Sequence, residues 1–374
     1  MLMKEDTSSM MINRVHQVVT TLGIGGAGEV YSIKNIKDNT MFAAKFARKD
    51  LKVTQAKKLL LLQRERDTME ELNGHPNILS SYQLFKRRRA CSQKDGFEAC
   101  KQNFGIHLTT APYHMIEYCE NGSFISYMRN QAALPENIAT YYAEQLIGAL
   151  HFIHLKGYAH LDIKLDNILL DNYFNIRISD FGSAIKINDQ PYVSIRRGTT
   201  KYMAPEVRDL VQDETFDAYK ADMYSLGICL FLMLFKRFPI HLEEVVYTGT
   251  LDLFKEDESL DSCPFDCDQD IWKGLTIQTR RILLALLNKD PDQRPYIHQL
   301  VEYFQLAPSN ESIEELIFDE MQRRRTKYEE DCYEKQFIQP AACSKNLKPE
   351  SGCKEAKVVK SPSNKSGSST NVTN

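Results

Sequence analysis

The most informative segment of the sequence is HLDIKLDN, which runs from His160 to Asn167. Acidic, basic and amide side chains alternate there with apolar residues. Eighteen residues after Asp162, the tripeptide Asp-Phe-Gly begins at Asp180. Each of these charged residues, taken alone, could be an ordinary solvated loop residue. Their interpretation therefore depends on the patterns that precede them in the chain.

A glycine-rich segment lies near the amino terminus. It reads Gly23-Ile24-Gly25-Gly26-Ala27-Gly28-Glu29-Val30 and matches G-x-G-x-x-G-x-V. The segment lies between two predicted strands rather than between a strand and a helix, which disfavours a dinucleotide-binding turn. Glycines there would let backbone N–H groups approach phosphate oxygens. A plain flexible hairpin would give the same pattern, so the motif is weak by itself.

A lysine with apolar neighbours follows the glycine-rich segment. Lys45 lies in Phe42-Ala43-Ala44-Lys45, on a predicted strand. Burial of its ammonium group without a partner would cost free energy. Glu65, on the next predicted helix, offers the counter-charge, and such a pair can hold the lysine against nucleotide phosphates. A surface lysine on a sheet edge is the alternative interpretation.

The hydrophobic pattern divides the chain into a β-rich part and a helical part. In the first part, apolar runs separated by turn residues predict strands, and one segment of high helix propensity predicts a single helix. The second part shows apolar residues at helical spacing. The predicted strands are 18–22, 29–33, 41–46, 78–85 and 113–118, and the predicted helices are 54–72, 135–156, 222–235, 276–288 and 296–304.

The chain also carries segments outside this body. Residues 1–14 are predicted to be flexible, and the stretch from Lys86 to Thr110, which opens with a basic run, is predicted to be a long surface loop. Ser312 and Glu315 form a possible capping box for a charged helix that reaches about Phe337. This helical extension, residues 306–337, could pack on the body or bind a protein partner. Residues 338–374 are predicted to be a disordered basic tail, because the last 34 hold six Lys, two Glu and few large apolar side chains.

Composition limits the classes of protein that fit. The 374 residues include 47 basic and 50 acidic side chains, a net charge of −3, which excludes a disordered polyelectrolyte and indicates no specific nucleic-acid binding. No secretory signal is expected. The longest apolar run, Met223 to Phe235, is too short for a membrane span and predicts a buried helix. Nine cysteines suggest reduced thiols and a cytoplasmic or nuclear location; Cys263 and Cys267 form the only close pair, and no second pair completes a zinc site.

Taken in order, these motifs resemble those of the eukaryotic protein kinase superfamily. The resemblance continues through Ala204-Pro205-Glu206, Asp222 and Arg294, and it covers residues 15–305. It implies an α+β fold with two lobes: a small antiparallel sheet with one helix over residues 15–118, and a larger, mainly helical lobe over residues 119–305. It also implies a buried ion pair between Glu206 and Arg294, and an Asp222 that braces the catalytic loop.

The resemblance assigns roles to the charged residues. Asp162 would accept or orient the proton of the attacking hydroxyl, and Lys164 would neutralise charge near the γ-phosphate. Asn167 and Asp180 would be ligands of Mg²⁺, a hard cation that prefers oxygen. The catalytic set is Asp162, Lys164, Asn167 and Lys45, with Glu65 as the partner of Lys45.

The same resemblance predicts an ATP site between the lobes. The glycine-rich residues Gly23, Ile24, Gly25, Gly26, Ala27 and Gly28 would cover the phosphates. Leu22, Val30 and Ala43 would lie above the adenine and Leu169 below it, with Ile116 at the back. The backbone of Glu117 and Cys119 would bind the adenine edge.

The resulting prediction is a protein serine/threonine kinase that uses ATP and Mg²⁺ and acts on Ser or Thr hydroxyls of protein substrates. A pseudokinase or scaffold is one alternative, although such proteins commonly lack one of three residues that are present here, Lys45, Asp162 and Asp180. A tyrosine or dual-specificity kinase is the other. Lys164 and the pair Gly198-Thr199 favour serine/threonine specificity. Asp166 could attract a basic residue in the substrate.

One position departs from the family pattern. Leu161 stands where most members have an arginine that pairs with a phosphate on the activation segment, and an isobutyl group cannot make that bond. We therefore expect activity to depend little on phosphorylation between Asp180 and Glu206. Hydroxyls are nevertheless available there, and two arginines could act as phosphate partners. They are Ser194, Thr199, Thr200, Arg196 and Arg197.

Overall fold

The computed structural model describes residues 11–13, 15–25, 28–47, 54–86, 111–240, 260–305 and 313–337. The predicted loop at 87–110, the predicted tail at 338–374, most of the predicted flexible start, and Gly26 and Ala27 lie outside these ranges. The chain divides into two compact units, Met1–Tyr328 and Glu329–Asn374. The second unit contributes only the end of one helix to the described residues.

A five-stranded antiparallel sheet forms the amino-terminal part of the first unit. Its spatial order is β1-β2-β3-β5-β4. Apolar side chains of β1, β2, β3 and β5 form a small core of their own, which includes Val18, Ile33 and Phe46. The strands are β1 (His16–Ile24), β2 (Glu29–Asn35), β3 (Met41–Phe46), β4 (Ser81–Phe85) and β5 (Tyr113–Ile116).

The predicted strand at 78–85 begins later than expected, at Ser81. The reason is that the preceding residues pair elsewhere. Ile78 forms a parallel bridge with Ile178, and the Leu79 amide donates to the Ile178 carbonyl at 3.0 Å. These residues therefore join the sheet to the helical part.

One helix, α1 (Gln55–Glu71), packs beside the sheet. The Thr54 side chain caps it by accepting from the Lys57 amide. Leu62, Glu65 and Met69 are buried at helical spacing, so the same stripe that packs the helix also carries its one inward carboxylate.

The rest of the first unit is mainly helical, with short strands between the helices. The helices in chain order are α2 (Phe124–Met128), α3 (Glu136–Leu155), α4 (Pro205–Arg208), α5 (Ala218–Phe235), α6 (Gln269–Gly274), α7 (Ile277–Leu286), α8 (Ile297–Gln305) and α9 (Ile313–Phe337). The strands are β6 (Tyr158–Ala159), β7 (Ile168–Leu170), β8 (Ile176–Ile178), β9 (Ile185–Lys186), β10 (Tyr192–Val193) and β11 (Phe216–Asp217). Antiparallel pairs form between β6 and β9, β7 and β8, and β10 and β11.

Helix α5 lies at the centre of the helical part. It is long and apolar enough to cross a membrane, but 94% of that window is buried inside the protein, which supports the prediction of a core helix. The helix begins at Ala218, one turn before the predicted start at Asp222. Asp217 causes the earlier start, because its carboxylate caps the helix by accepting from the amides of Tyr219 and Lys220.

Helix α9 packs on the body through one face of its part within the first unit. Ile317, Met321 and Arg324 are buried at helical spacing. The ring of Phe318 lies 5.6 Å from that of Phe174. Glu320 and Arg324 form an i, i+4 ion pair at 2.7 Å. The predicted cap at Ser312 lies outside the described residues.

Candidate active site

Lys45 connects the sheet to both neighbouring carboxylates. It lies on β3, and its Nζ donates to Glu65 Oε1 at 2.6 Å and to Asp180 Oδ1 at 2.8 Å. Burial alone would lower the pKa of Lys45, but the two carboxylates outweigh it and raise that pKa above its usual range. The predicted contact of Lys45 with Glu65 is therefore present, and Lys45 also contacts Asp180, which the sequence did not indicate as its partner.

The two carboxylates respond differently to this shared cation. Burial is the largest effect on both. It raises the pKa of Glu65 overall, whereas the charge and hydrogen bond of Lys45 lower the pKa of Asp180 below its usual value. Because one ammonium group faces two carboxylates, the charges around Lys45 favour binding of a further cation beside Asp180.

Asp180 is held in an unusual backbone conformation. Its φ is 61° and its ψ 69°, in the left-handed region that residues other than glycine rarely adopt. The following Phe181 is buried, and its ring lies 4.8 Å from that of His160. Such strain persists where surrounding contacts enforce it, typically at functional sites. Here the buried phenylalanine and the bond to Lys45 fix the Asp180 carboxylate.

Asp222 on α5 holds the loop that carries Asp162. The Asp222 carboxylate accepts from the backbone amides of His160 at 2.8 Å and Leu161 at 2.7 Å. His154 Nε2 lies 3.0 Å from the same carboxylate. The predicted bracing contact of Asp222 is thus present, and it holds the loop through backbone atoms.

Asp162, Lys164, Asn167 and Thr199 form one hydrogen-bonded cluster. Lys164 Nζ donates to Asp162 Oδ2 and to Thr199 Oγ1, each at 2.7 Å. The Thr199 hydroxyl donates to Asp162 Oδ1 at 2.8 Å. Asn167 Nδ2 donates to the Asp162 carbonyl at 2.9 Å and to Asp162 Oδ2 at 3.1 Å. The three predicted catalytic-loop residues are therefore in direct contact.

Thr199 is the residue whose role the sequence did not indicate. It was expected as an available hydroxyl for phosphorylation and, with Gly198, as a sign of serine/threonine specificity, but not as a contact of the catalytic loop. Its hydroxyl bridges Asp162 and Lys164. The preceding Gly198, with φ of 98°, allows this approach, because a Cβ there would lie 2.2 Å from the Leu161 carbonyl oxygen. The pair Gly198-Thr199 was the only signal in the sequence.

The glycine-rich segment is a hairpin between β1 and β2. The Gly25 amide donates to the Gly28 carbonyl at 2.9 Å, while the predicted contributors Gly26 and Ala27 lie outside the described residues. A Cβ at Gly23 or Gly25 would meet nothing within 4 Å. At Gly28 it would lie 2.2 Å from the Phe46 carbonyl oxygen, so this glycine is needed for close packing of the hairpin on β3.

The predicted adenine pocket is partly assembled by the sheet register. Ala43 and Ile116 are paired between β3 and β5 and are buried, as is Cys119. Val30 and Leu169 are partly buried and pack against the same core cluster, whereas Leu22 and Ile24 are exposed. These last two lie on the β1 edge of the hairpin.

The segment from Glu117 to Cys119, here called the hinge, was predicted to bind the adenine edge through its backbone. The Glu117 amide already donates to the Ser80 carbonyl at 3.0 Å. The Glu117 carboxylate accepts from the Ser80 amide at 2.9 Å. Glu117 can therefore offer its carbonyl to an adenine, but not its N–H.

The donor set fits a hard divalent cation. Both described hydrogen bonds of the Asn167 side chain use Nδ2, and the bonds of Asp180 to Lys45 use Oδ1. The Ser179 amide donates to the Asn167 carbonyl at 2.9 Å, which holds these two segments together. Asn167 Oδ1 and Asp180 Oδ2 thus remain as oxygen ligands of the kind that Mg²⁺ prefers.

Glu206 and Arg294 make the expected ion pair away from these groups. Arg294 Nη1 and Nη2 each donate to a different Glu206 oxygen at 2.7 Å. Arg294 is 1% exposed, so the pair is a buried structural link between α4 and the segment before α8.

Comparison with known proteins finds several relatives of similar sequence. CBL-interacting protein kinase 5 of Oryza sativa subsp. japonica is 28% identical over 302 residues, which cover 80% of this chain and 57% of that protein. CBL-interacting serine/threonine-protein kinase 20 of Arabidopsis thaliana is 27% identical, over 84% of this chain and 66% of that protein. Protein kinase C zeta type of Oryctolagus cuniculus is 27% identical, over 74% and 42% respectively. This chain therefore spans less than two thirds of the length of each relative. Residues 16–304, most of the chain, match the family described as Protein kinase domain, and the chain belongs to that family.

Proposed function

We propose that this chain is a protein serine/threonine kinase that transfers the γ-phosphate of ATP to Ser or Thr hydroxyls of protein substrates. The observation that carries the proposal is the continuous set of contacts around the predicted phosphate site. Lys45 binds Glu65 and Asp180, and Asp162 binds Lys164 and Thr199. The three groups whose loss marks a pseudokinase are all present in bonded positions.

Three side chains have separate roles in the proposed phosphate transfer. Asp162 orients the acceptor hydroxyl and takes up its proton. Lys164, bonded to both Asp162 and Thr199, places a positive charge next to the reacting oxygens, where charge develops during transfer. Lys45 positions the phosphates of the nucleotide.

Mg²⁺ would be held by Asn167 and Asp180, and ATP by the hairpin between β1 and β2 and by the hinge. When bound, the metal supplies charge neutralisation on the phosphate oxygens. Among the described residues, one side-chain oxygen of each ligand accepts no hydrogen bond, while the neighbouring atom of the same side chain is held by one.

Serine/threonine specificity is supported by Lys164 and the pair Gly198-Thr199, which resemble those of serine/threonine kinases, and by the relatives, which include serine/threonine kinases by name. The names of two relatives also mention interaction with CBL. For this chain we propose only that the exposed side of helix α9, which includes Leu316, is available to a protein partner. A cytoplasmic or nuclear location is proposed from the cysteine content alone.

The test is transfer of labelled phosphate from ATP and Mg²⁺ to a generic basic protein, followed by phosphoamino-acid analysis. We expect phosphoserine or phosphothreonine from the full chain, and none from Asp162→Asn, which keeps the size of the side chain. Phosphotyrosine would instead favour the tyrosine or dual-specificity alternative. Nucleotide binding without transfer would favour the pseudokinase.

A further inference from the structure

Two cysteines lie side by side outside the candidate active site. Cys263 and Cys267 belong to the loop that precedes α6, and their Sγ atoms are 2.7 Å apart. A disulfide bond requires about 2.05 Å. The two sulfur atoms would therefore have to approach by only roughly 0.7 Å to become bonded.

The loop around the pair is held in place on both sides. Trp272 Nε1 donates to the Leu260 carbonyl at 2.7 Å, and the Cys263 amide donates to Gln269 Oε1 at 3.1 Å. Phe265, between the two cysteines, is buried, with its ring 5.4 Å from that of Phe231 on α5. The short distance between the sulfurs is thus maintained by packing of the surrounding loop.

The two thiols differ in acidity and access. The Cys267 thiol donates a hydrogen bond to Cys263 Sγ, which lowers the pKa of Cys263 and raises that of Cys267. Cys263 is 1% exposed, whereas Cys267 is partly exposed. The pair therefore combines one thiol that a reagent can reach with a second thiol ready to act as a nucleophile.

We propose that Cys263 and Cys267 are a redox modification site that forms a reversible intramolecular disulfide with a small-molecule disulfide, such as oxidised glutathione, as the oxidant. Because Cys263 is buried, access rather than acidity selects Cys267 for the first step. Cys267 gives up its proton and attacks the S–S bond of the oxidant, which gives a mixed disulfide and releases one thiol. Cys263 then attacks Cys267 Sγ and releases the second thiol. The two cysteines lose two electrons and two protons, and one molecule of disulfide is reduced to two thiols.

This chemistry fits the predicted location of the chain. In a reducing compartment, disulfides are usually transient and serve as redox sensors. The proposal does not rest on the proposed kinase activity, because its readout is the chemical state of the two sulfurs.

The experiment uses the full chain, reduced and then equilibrated in glutathione buffers from fully reduced to fully oxidised. Remaining thiols are alkylated, and the chain is digested with trypsin for mass spectrometry. Lys255 and Lys273 flank both cysteines, so Cys263 and Cys267 fall in one peptide, residues 256–273. We expect this peptide to carry two alkyl groups in reduced buffer. In oxidised buffer we expect it to carry none and to be lighter by two hydrogens than the unmodified dithiol.

Cysteine variants provide the matched control. In Cys263→Ser, Cys267 has no resolving partner and should accumulate a glutathione adduct in oxidised buffer. Peptide 328–335, which contains Cys332, reports the efficiency of alkylation. A wild-type peptide that stays doubly alkylated in every buffer, or that carries glutathione on each cysteine without an internal bond, would overturn the proposal. The decisive measurement uses the wild-type chain, so it does not depend on the folding of a variant.

Discussion

At the scale of single residues, the ammonium group of Lys45 links three elements. It joins β3, which carries it, to α1 through Glu65 and to the end of β8 through Asp180. Removal of this cation would leave two carboxylates close together, with Glu65 buried. An unpaired buried charge is costly, so the substitution should affect both catalysis and local structure.

We expect Lys45→Ala to lower kcat/KM by about a hundredfold or more, which corresponds to roughly 3 kcal/mol of transition-state stabilisation, as for loss of one preorganised donor. Steady-state phosphate transfer measures this. Lys37→Ala, at an exposed position in the turn between β2 and β3, is the matched control and should leave kcat/KM unchanged. Near-normal turnover of the Lys45 variant would refute the assigned role.

His114 lies opposite Lys45 in the sheet register and is fully buried. Its Nε2 contacts Ser81 Oγ at 2.9 Å, and its Nδ1 has no hydrogen-bond partner among the described residues. Burial, followed by the charges of Lys45 and Arg66, lowers the pKa of His114 to about 4. The side chain is therefore neutral at physiological pH.

This histidine predicts a pH dependence of stability. An unfolded histidine takes up its proton near pH 6.5, whereas His114 in the folded protein does so only near pH 4. Between these values the unfolded state binds more protons, so the free energy of unfolding should fall as the pH falls, by up to roughly 3 kcal/mol. Urea unfolding from pH 7 to pH 4.5 should show a smaller decrease for His114→Asn than for the wild type. Equal decreases in both proteins would contradict the prediction.

At the scale of elements, one buried arginine makes several hydrogen bonds between helix α9 and the body, beside the apolar contacts of Ile317 and Met321. Arg324 donates to the carbonyls of Tyr127, Ala132 and Ala133 at 3.2, 2.9 and 3.1 Å, and to Glu320 at 2.7 Å. The Arg324 carbonyl in turn accepts from Gln131 at 2.8 Å. Three carbonyls at the end of α2 and in the loop after it therefore accept hydrogen bonds from one side chain of this helix.

Arg324→Ala should lower the free energy of unfolding by about 3 kcal/mol, because it leaves buried carbonyls and Glu320 without their donor. The neighbouring Arg323 binds the same Glu320, but its side chain is 67% exposed. Arg323→Ala should change stability by less than about 0.5 kcal/mol. Urea unfolding of the two variants makes the comparison. Equal effects would mean that burial of Arg324 does not stabilise the helix.

At the scale of the whole molecule, the loop that carries Asp162 is held by the central helix α5 through Asp222 and by Thr199 of the segment between Asp180 and Glu206. Leu161 is buried, and its backbone amide binds Asp222 of the central helix. Ser194 and Thr200, in contrast, are exposed. The described hydrogen bonds of the Asp162 side chain involve Lys164, Asn167 and Thr199, and neither of these two exposed hydroxyls takes part in them.

We accordingly predict that dephosphorylated enzyme and the Ser194→Ala, Thr200→Ala double variant keep turnover close to that of the untreated wild type. Thr199→Ala, which removes the bridge between Asp162 and Lys164, should lose at least about tenfold, as for one hydrogen bond to a charged group. Phosphate transfer measured in parallel decides the matter. A loss of about a hundredfold in the double variant would show that phosphorylation is required.

The sequence predicted the elements best where its own spacing determines them. The bounds of β3 and α1 follow from local apolar runs and turn residues, and the pairing of Lys45 with Glu65 follows from motif order. Contacts between segments that are distant in the sequence could not be predicted in the same way. Thr199 is 37 residues from Asp162, and nothing local indicates that its hydroxyl turns toward that carboxylate.

Two other differences have the same origin. The late start of β4 reflects pairing of Ile78 with Ile178, a hundred residues away. Arg324 could be paired with Glu320 by helical spacing, but its three carbonyl acceptors belong to the end of α2 and the loop after it, almost two hundred residues earlier. Such contacts depend on tertiary packing, which the local pattern does not encode.

The contact between Asp222 and the backbone of His160 and Leu161 has a consequence for hydrogen exchange. Asp222 is 0% exposed and lies on the most deeply buried helix, so release of these two amides requires opening of the interior. Backbone amides freed only by global opening exchange with deuterium at the slowest rate in a protein. The amides of His160 and Leu161 should therefore be as protected as those of α5 itself, although they belong to a loop.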